Sequence, residues 1–254
     1  MSEIKSQVFN EDCMETMKRI PDGSIDLMLT DIPYGVTNYD WDTKPNLNKI
    51  WAEWNRILKH DGAFIFTSTQ PLTTELISSN KSSFKYELIW DKVNHSSPAI
   101  AKIQPLRMHE NILVFYRSQP CYNPQFNKTT LTERRGKKSS TRSGHISGFL
   151  GNNYQEMVGY PKSIIRFQKP SNMTPEVGNL HPSQKPLDLF RYLILTYTNP
   201  GDTVYDGYLG SGTTAVASLM EGRNFIGSEL DKGYFDLCQN RIQNHISQLK
   251  LELK

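Results

Sequence analysis

The stretch Thr203 to Ser218, TVYDGYLGSGTTAVAS, leaves a chain of this kind few folds to choose from. A short β-branched and aromatic run ends on Asp206, three glycines follow at Gly207, Gly210 and Gly212, and a helix-forming segment opens at Thr213. Glycines so placed suit a backbone that turns tightly as it leaves a sheet and comes close to a ligand. The reading is strand, turn and helix, with a nucleotide-like cofactor over the turn. The next apolar run, NFIGSE, ends on Glu229. That puts a carboxylate one strand over at the same sheet edge, where it can accept both hydrogen bonds of a ribose diol. No GKS or GKT follows the glycines, which argues against a P-loop, and the spacing departs from the GxGxxG of dinucleotide enzymes. A glycine-rich turn can also serve packing alone; the acid that follows weighs against that.

The rest of the chain supplies the sheet. Ser24 to Asp31 (SIDLMLTD) is an apolar run ending in a turn signal, as a buried parallel strand would be. Leu47 to His60 repeats apolar residues at helical spacing and stops at Asp61-Gly62, and AFIFTS follows as a strand. Strand, helix, strand is a βαβ unit and brings a parallel sheet with helices on its faces. Further strands are expected over Tyr86 to Trp90 and Asn111 to Arg117, with Met108, His109 and Glu110 leading into the latter. A buried helix is expected after Pro186, a second over Thr213 to Glu221, and an amphipathic one at the C-terminus.

Composition narrows the class. With 254 residues, 37% hydrophobic, 22% charged and a mean hydropathy of -0.55, the chain can bury a sizeable core as one large α/β domain with an insertion. It has no run long enough to span a bilayer and no secretory signal pattern, so a cytoplasmic location is expected. Cys13, Cys121 and Cys238 form no CxxC pair, and the six histidines form no HxxxH pair. Neither a disulfide framework nor a protein-bound metal is expected.

Two segments carry the remaining chemistry. Asp31-Ile32-Pro33-Tyr34-Gly35 lies where the first strand runs out, at the carboxyl edge where open α/β sheets bind ligands. Alone it is also good turn chemistry. From Gln119 to Ser171 apolar periodicity fades into Asn, Thr, Ser, Gly and basic residues, which reads as an insertion. Within it Lys128, Arg134, Arg135, Lys137, Lys138 and Arg142 face a single acid, Glu133. Such a run is either a solvated loop or a phosphate-contacting one.

Together these segments resemble the amino-methylating DNA methyltransferases, in the circularly permuted β arrangement in which the catalytic tetrapeptide precedes the S-adenosylmethionine loop. DIPYG is similar to the family's DPPY motif, VYDGYLGSGTT to its DPFxGSGTT loop, and HPSQKPLDLF to the motif that closes over the methionine part of the cofactor. NEDCMETMKRIPDGSIDLMLT resembles the usual lead-in, and HENILVFYR, YNPQ and GYPKSIIRF have family character. Ile32 stands where the family has its first proline, and Gly207-Tyr208 where it has Pro-Phe.

The resemblance implies a Rossmann-like, S-adenosylmethionine-dependent fold with three stretches. Residues 1–118 would be the catalytic part, 119–171 an inserted target-recognition region, and 172–254 the cofactor-binding part of the same domain. It implies catalysis by Asp31, Ile32, Pro33 and Tyr34. Cofactor contacts are implied for Asp12, Cys13, His181, Ser183, Lys185, Asp206, Gly207, Tyr208, Gly210, Ser211, Gly212, Thr213, Thr214, Glu229 and Leu230. DNA contacts are implied for Arg134, Arg135, Lys137, Lys138 and Arg142. The expected reaction is methyl transfer to the N6 amine of an adenine flipped out of double-stranded DNA, since the Asp form of the motif usually accompanies adenine and a Ser form cytosine N4. Alternatives are the cytosine-N4 enzyme and a catalytically silent DNA-binding relative. A cognate restriction endonuclease and a monomeric or homodimeric state stay open.

Overall fold

The computed structural model describes residues 6–35, 42–96, 101–126, 159–169 and 184–252. Contacts divide the chain into two compact units, residues 1–123 with 163–254, and residues 124–162. Among the described residues the larger unit has eight strands: β1 Gln7–Phe9, β2 Ile25–Thr30, β3 Leu58–Ser68, β4 Phe84–Ser96, β5 Arg107–Tyr116, β6 Ile164–Arg166, β7 Thr203–Asp206 and β8 Asn224–Ser228. Six helices accompany them: α1 Cys13–Met17, α2 Leu47–Ile57, α3 Leu72–Ser79, α4 Leu187–Tyr197, α5 Thr213–Met220 and α6 Lys232–Glu252. Of the smaller unit, the described residues include Phe126 and Tyr160, whose rings meet edge-on at 5.1 Å.

The strands form one sheet in the order β1-β8-β7-β2-β3-β5-β4-β6. Among the described strands only β5 runs antiparallel to its neighbours, β3 and β4. The physical reason is the length of the connection: β4 ends at Ser96 and β5 begins at Arg107, too few residues between them for the crossover that a parallel pair needs. Ile164–Arg166, inside the stretch that the sequence reads as an insertion, adds β6 beside β4. Strand order reverses between β2 and β7, which pair in parallel with Leu27 opposite Val204 and Met28 opposite Tyr205. A reversal of this kind opens a crevice at the carboxyl ends of the two strands.

Helices cover both faces. Asn46 caps α2, its side chain accepting from the Lys49 amide at 3.2 Å, and the helix buries Ile50, Trp51, Trp54 and Ile57. Trp51 meets Trp54, Phe64, Phe66 and Phe115 at ring distances of 5.0 to 5.6 Å, mostly edge to face. Edge-to-face pairs contribute about 0.5–1.5 kcal/mol each beyond their burial. On the other face α4 packs Leu189, Phe190, Leu193 and Ile194 against β2, β3 and β7. The helix read over Leu47 to His60 ends at Ile57, because Leu58 is already in β3; helix passes into strand without a loop. Among the described residues no helix is long and apolar enough to cross a membrane.

Candidate active site

The end of β7 is built around a buried carboxylate. Asp206 accepts from Thr30 Oγ1 at 2.6 Å, from Thr214 Oγ1, and from the Tyr208 amide at 3.0 Å. It therefore ties together the end of β2, the first turn of α5 and the glycine loop. Burial pushes its carboxyl up from 3.8 to about 6, the three donors offsetting part of that rise. The folded chain thus keeps this proton to higher pH than the unfolded chain does. Its stabilising contribution is complete below the unfolded value and is lost as pH climbs from about 4 to about 6. A shift of this size corresponds to roughly 3 kcal/mol. The Asp206→Asn variant should lack that slope: between these pH values the urea midpoint of the wild type should fall relative to the variant's. Parallel profiles of the two proteins would show that Asp206 does not titrate there.

The glycines follow from the space available. Gly210 and Gly212 take positive φ of 51° and 80°, a region that costs other residues about 1–2 kcal/mol. A Cβ on Gly207 would lie 2.9 Å from Cys13 Cβ and 3.0 Å from the Tyr205 hydroxyl. This accounts for the first departure in the loop: the room a proline ring needs is filled by Cys13 and Tyr205. The second departure is accommodated too, because the Tyr208 hydroxyl accepts from Cys13 Sγ at 3.4 Å. Burial raises the Cys13 thiol to about 11, so it stays protonated and is no nucleophile at neutral pH.

Glu229 follows β8 and is nearly buried. Its Oε2 accepts from the Gly210 amide at 2.7 Å and its Oε1 from the Asp231 amide at 2.8 Å. A carboxylate offers about four acceptor positions, so each oxygen keeps one. Asp12 caps α1, accepting from the Met14 amide at 2.8 Å.

At the end of β2, Ile32 takes the place of a proline by filling the core, with 1% of its surface exposed. Asp31 is held by three donors. The Tyr34 hydroxyl reaches Oδ1 at 2.8 Å, Thr67 Oγ1 binds the same oxygen, and Lys185 Nζ lies 2.5 Å from Oδ2. Three of about four acceptor positions are thereby taken by the chain's own groups, leaving one for an incoming N–H. Lys185 also sits 5.4 Å from the centre of the Tyr34 ring. Burial and the charges of Asp31 and Glu110 hold the Tyr34 phenol well above its ordinary pKa, so it remains a neutral donor. Burial alone would lower the Lys185 ammonium; Asp31 and Glu110 outweigh it, and the net direction is upward.

One cavity of about 520 Å³ joins the two ends. Asp31, Ile32, Pro33, Tyr34, Asp12, Cys13, Lys185, Asp206, Gly207, Tyr208, Gly210, Ser211, Thr213, Thr214, Glu229 and Leu230 all line it. Gly212 stands behind, its Cα side closed by Cys238. His181, Ser183, Arg134, Arg135, Lys137, Lys138 and Arg142 lie outside the described residues. Thr67 and Lys92 escaped the sequence reading, while Glu110 and Gln184 stand in its HENILVFYR and HPSQKPLDLF stretches without an assigned role. Two of them carried a usable signal: Lys92 and Glu110 alternate in phase with the buried Trp90 and Ile112 of their own strands, an unusual place for a charge. Two buried side-chain atoms that line the cavity, Gln184 Oε1 and Thr213 Oγ1, have no hydrogen-bond partner among the described residues. No cluster of metal-ligating side chains occurs among those residues.

An open α/β sheet with a glycine turn and two acids at a strand-order reversal defines a Rossmann-like enzyme that takes a nucleotide-type cofactor. The comparison with known families says which. Residues 25–240 match the family model N6_N4_Mtase, described as DNA methylase, and the chain belongs to that family. Curated relatives include the DNA adenine methyltransferase YhdJ of Escherichia coli K12, 28% identical with 92% of this chain and 82% of the relative covered. Another is the type II methyltransferase M.HinfI of Haemophilus influenzae, 27% identical over all of this chain and 74% of the relative. Among solved structures, the M1.HpyAVI–SAM complex superposes with a TM-score of 0.61 at 21% identity, covering 92% of this chain and 98% of that one. The cytosine-N4-specific PvuII DNA methyltransferase gives 0.65 at 15% identity, covering 96% and 92%. At these identities the superpositions speak for the Rossmann-like methyltransferase fold alone.

Proposed function

We propose that this chain is a site-specific DNA adenine-N6 methyltransferase of the circularly permuted β arrangement, using S-adenosylmethionine. The observation that carries the reading is the single cavity lined both by Asp31 to Tyr34 and by the glycine turn with Glu229. The residues present fit the cofactor. Glu229 has acceptor positions left for a ribose diol, Asp12 offers a carboxylate at the cavity rim, and Thr213 and Gln184 bring polar atoms that lack partners within the described protein. When bound, S-adenosylmethionine supplies a methyl group on a positively charged sulfur.

The protein's own part is to make a weak nucleophile competent. The amine of adenine is poor because its lone pair is delocalised into the ring. The open position on the Asp31 carboxylate accepts one amine hydrogen and a backbone carbonyl at Ile32 or Pro33 accepts the other, so the lone pair is localised and aimed. The Tyr34 ring stacks on the base, which must leave the duplex at a cost of a few kcal/mol. After transfer the nitrogen sheds a proton, and Asp31 is the base that faces it.

Arg134, Arg135, Lys137, Lys138 and Arg142 are assigned to DNA phosphates, in a target-recognition region within 119–171 that separates the catalytic part, 1–118, from the cofactor part, 172–254. The aspartate that opens the tetrapeptide supports adenine over cytosine. The test is product analysis. Duplex DNA methylated with labelled S-adenosylmethionine is digested to deoxynucleosides and chromatographed, and label should run with N6-methyl-2′-deoxyadenosine. Label in N4-methyl-2′-deoxycytidine would overturn the choice of base, and an unlabelled digest would overturn the enzyme.

A further inference from the structure

Beside Asp31 lies a row of buried charges that alternate in sign. Lys92 Nζ is 3.3 Å from Glu110 Oε1, Glu110 Oε2 is 3.7 Å from Lys185 Nζ, and Lys185 Nζ is 2.5 Å from Asp31 Oδ2. The side chains of Lys92, Lys185 and Glu110 are 3%, 7% and 13% exposed. Buried charges are costly unless each has a partner, so four in one row need a reason. Glu110 is the hub. Besides the two lysines, it faces the Tyr34 hydroxyl at 3.4 Å. It therefore touches two of the three groups that donate to Asp31.

We propose that Glu110 is a positioning residue for methyl transfer, holding Lys185 and Tyr34 on the Asp31 carboxylate so that its remaining acceptor position points at the target amine, with Lys92 as the counter-charge that fixes Glu110. This rests on the function proposed above. Lys92 and Glu110 come from β4 and β5, whose register sets Trp90 opposite Glu110. The positioning groups thus ride on sheet, while the tetrapeptide they support is loop. Electrostatics agree in direction. Burial pushes the Glu110 carboxyl up, but Lys185, Lys92 and Lys169 outweigh it and hold it below its ordinary value. Burial lowers the Lys92 ammonium, and Glu110 restores only part of the loss.

The row makes a prediction that a merely structural pair would not. In Glu110→Gln the Lys92 ammonium loses the Glu110 carboxylate and Lys185 loses its second anchor. In Lys92→Met the freed Glu110 competes with Asp31 for Lys185. Each single variant should slow single-turnover methyl transfer by about 100-fold, the usual effect of misplacing a reacting group by an ångström. Affinity for S-adenosylmethionine, read by calorimetry, should stay within about two-fold, since neither residue lines the cofactor end. The double variant K92M/E110Q removes both charges together and should recover at least about tenfold over E110Q, because the Lys185–Asp31 pair is balanced again. Wild-type rates in E110Q, or losses that multiply in the double variant, would overturn the proposal. Should E110Q not fold, Lys92→Met decides: a loss of about tenfold or more in single-turnover transfer with cofactor affinity unchanged supports the proposal, and a smaller loss refutes it. A wild-type protein that binds cofactor and methylates no DNA would instead sink the parent reading.

Discussion

Replacing Asp31 by alanine should abolish methyl transfer while leaving the protein folded and able to bind S-adenosylmethionine. Three donors converge on this carboxylate from separate elements: Tyr34 from the same loop, Thr67 from β3 and Lys185 from ahead of α4. Such convergence fixes the carboxylate before any substrate arrives, and preorganised groups of this kind contribute most in a site shielded from water. Removing it takes away the acceptor that, in the proposed mechanism, aims the amine, and leaves the Lys185 ammonium with Glu110. The transfer rate should fall by about 1000-fold or more. The cofactor end, built from Glu229, the Gly210 amide and Asp206, is untouched, so the calorimetric dissociation constant should change little. A variant that turns over like wild type in a tritiated-methyl assay would remove Asp31 from the mechanism. One that loses cofactor binding in step with activity would make it a structural residue.

The second large effect is expected at Gly212. It opens α5 at φ 80°, and an added Cβ would lie 2.5 Å from Cys238 Sγ, 3.2 Å from its Cβ and 3.3 Å from its Cα. Cys238 is fully buried among Leu209, Ala215, Val216, Phe225 and Ile242, so α6 has no slack with which to retreat. Gly212→Ala should therefore destabilise the fold by about 2–4 kcal/mol, from left-handed backbone strain and overpacking together. It should also weaken cofactor binding, because the turn between Gly210 and Thr213 shifts with the helix. Adding Cys238→Ala removes the worst contact and should restore part of the melting temperature, leaving the backbone term. Equal melting of G212A and G212A/C238A would assign the whole effect to φ.

Local pattern carried much of this architecture. The strand Thr203–Asp206, the helix from Leu187 and the helix from Thr213 begin where periodicity and turn residues place them, because each is a long or sharply bounded apolar segment. Gln7–Phe9 and Ile164–Arg166 have three residues each and no alternation to read; they are strands only because β8 and β4 offer free edges. The site divides the same way. Asp31, Asp206 and Glu229 stand at strand ends, where a carboxylate after an apolar run is conspicuous. Lys185 was legible as a member of a cofactor-closing motif, yet its ammonium makes its shortest contact with Asp31. Glu110 stands in HENILVFYR, but its role was not legible there because it lies in two contacts across the sheet, to residues 75 or more positions away in the chain. Spacing along one strand cannot report such partners.

The pairing of β2 with β7 bears on how the enzyme is made. While the ribosome is still synthesising the middle of the chain, β2 has β3 on one side and nothing on the other; its second neighbour is encoded at Thr203–Asp206 of a 254-residue protein. The Thr30–Asp206 bond closes only then. Sheets completed by such distant segments form late and expose an open flank to aggregation in the interval. The same order of events means that a chain ending before Thr203 carries Asp31 but neither the strand nor the glycine turn of the other half of the cavity.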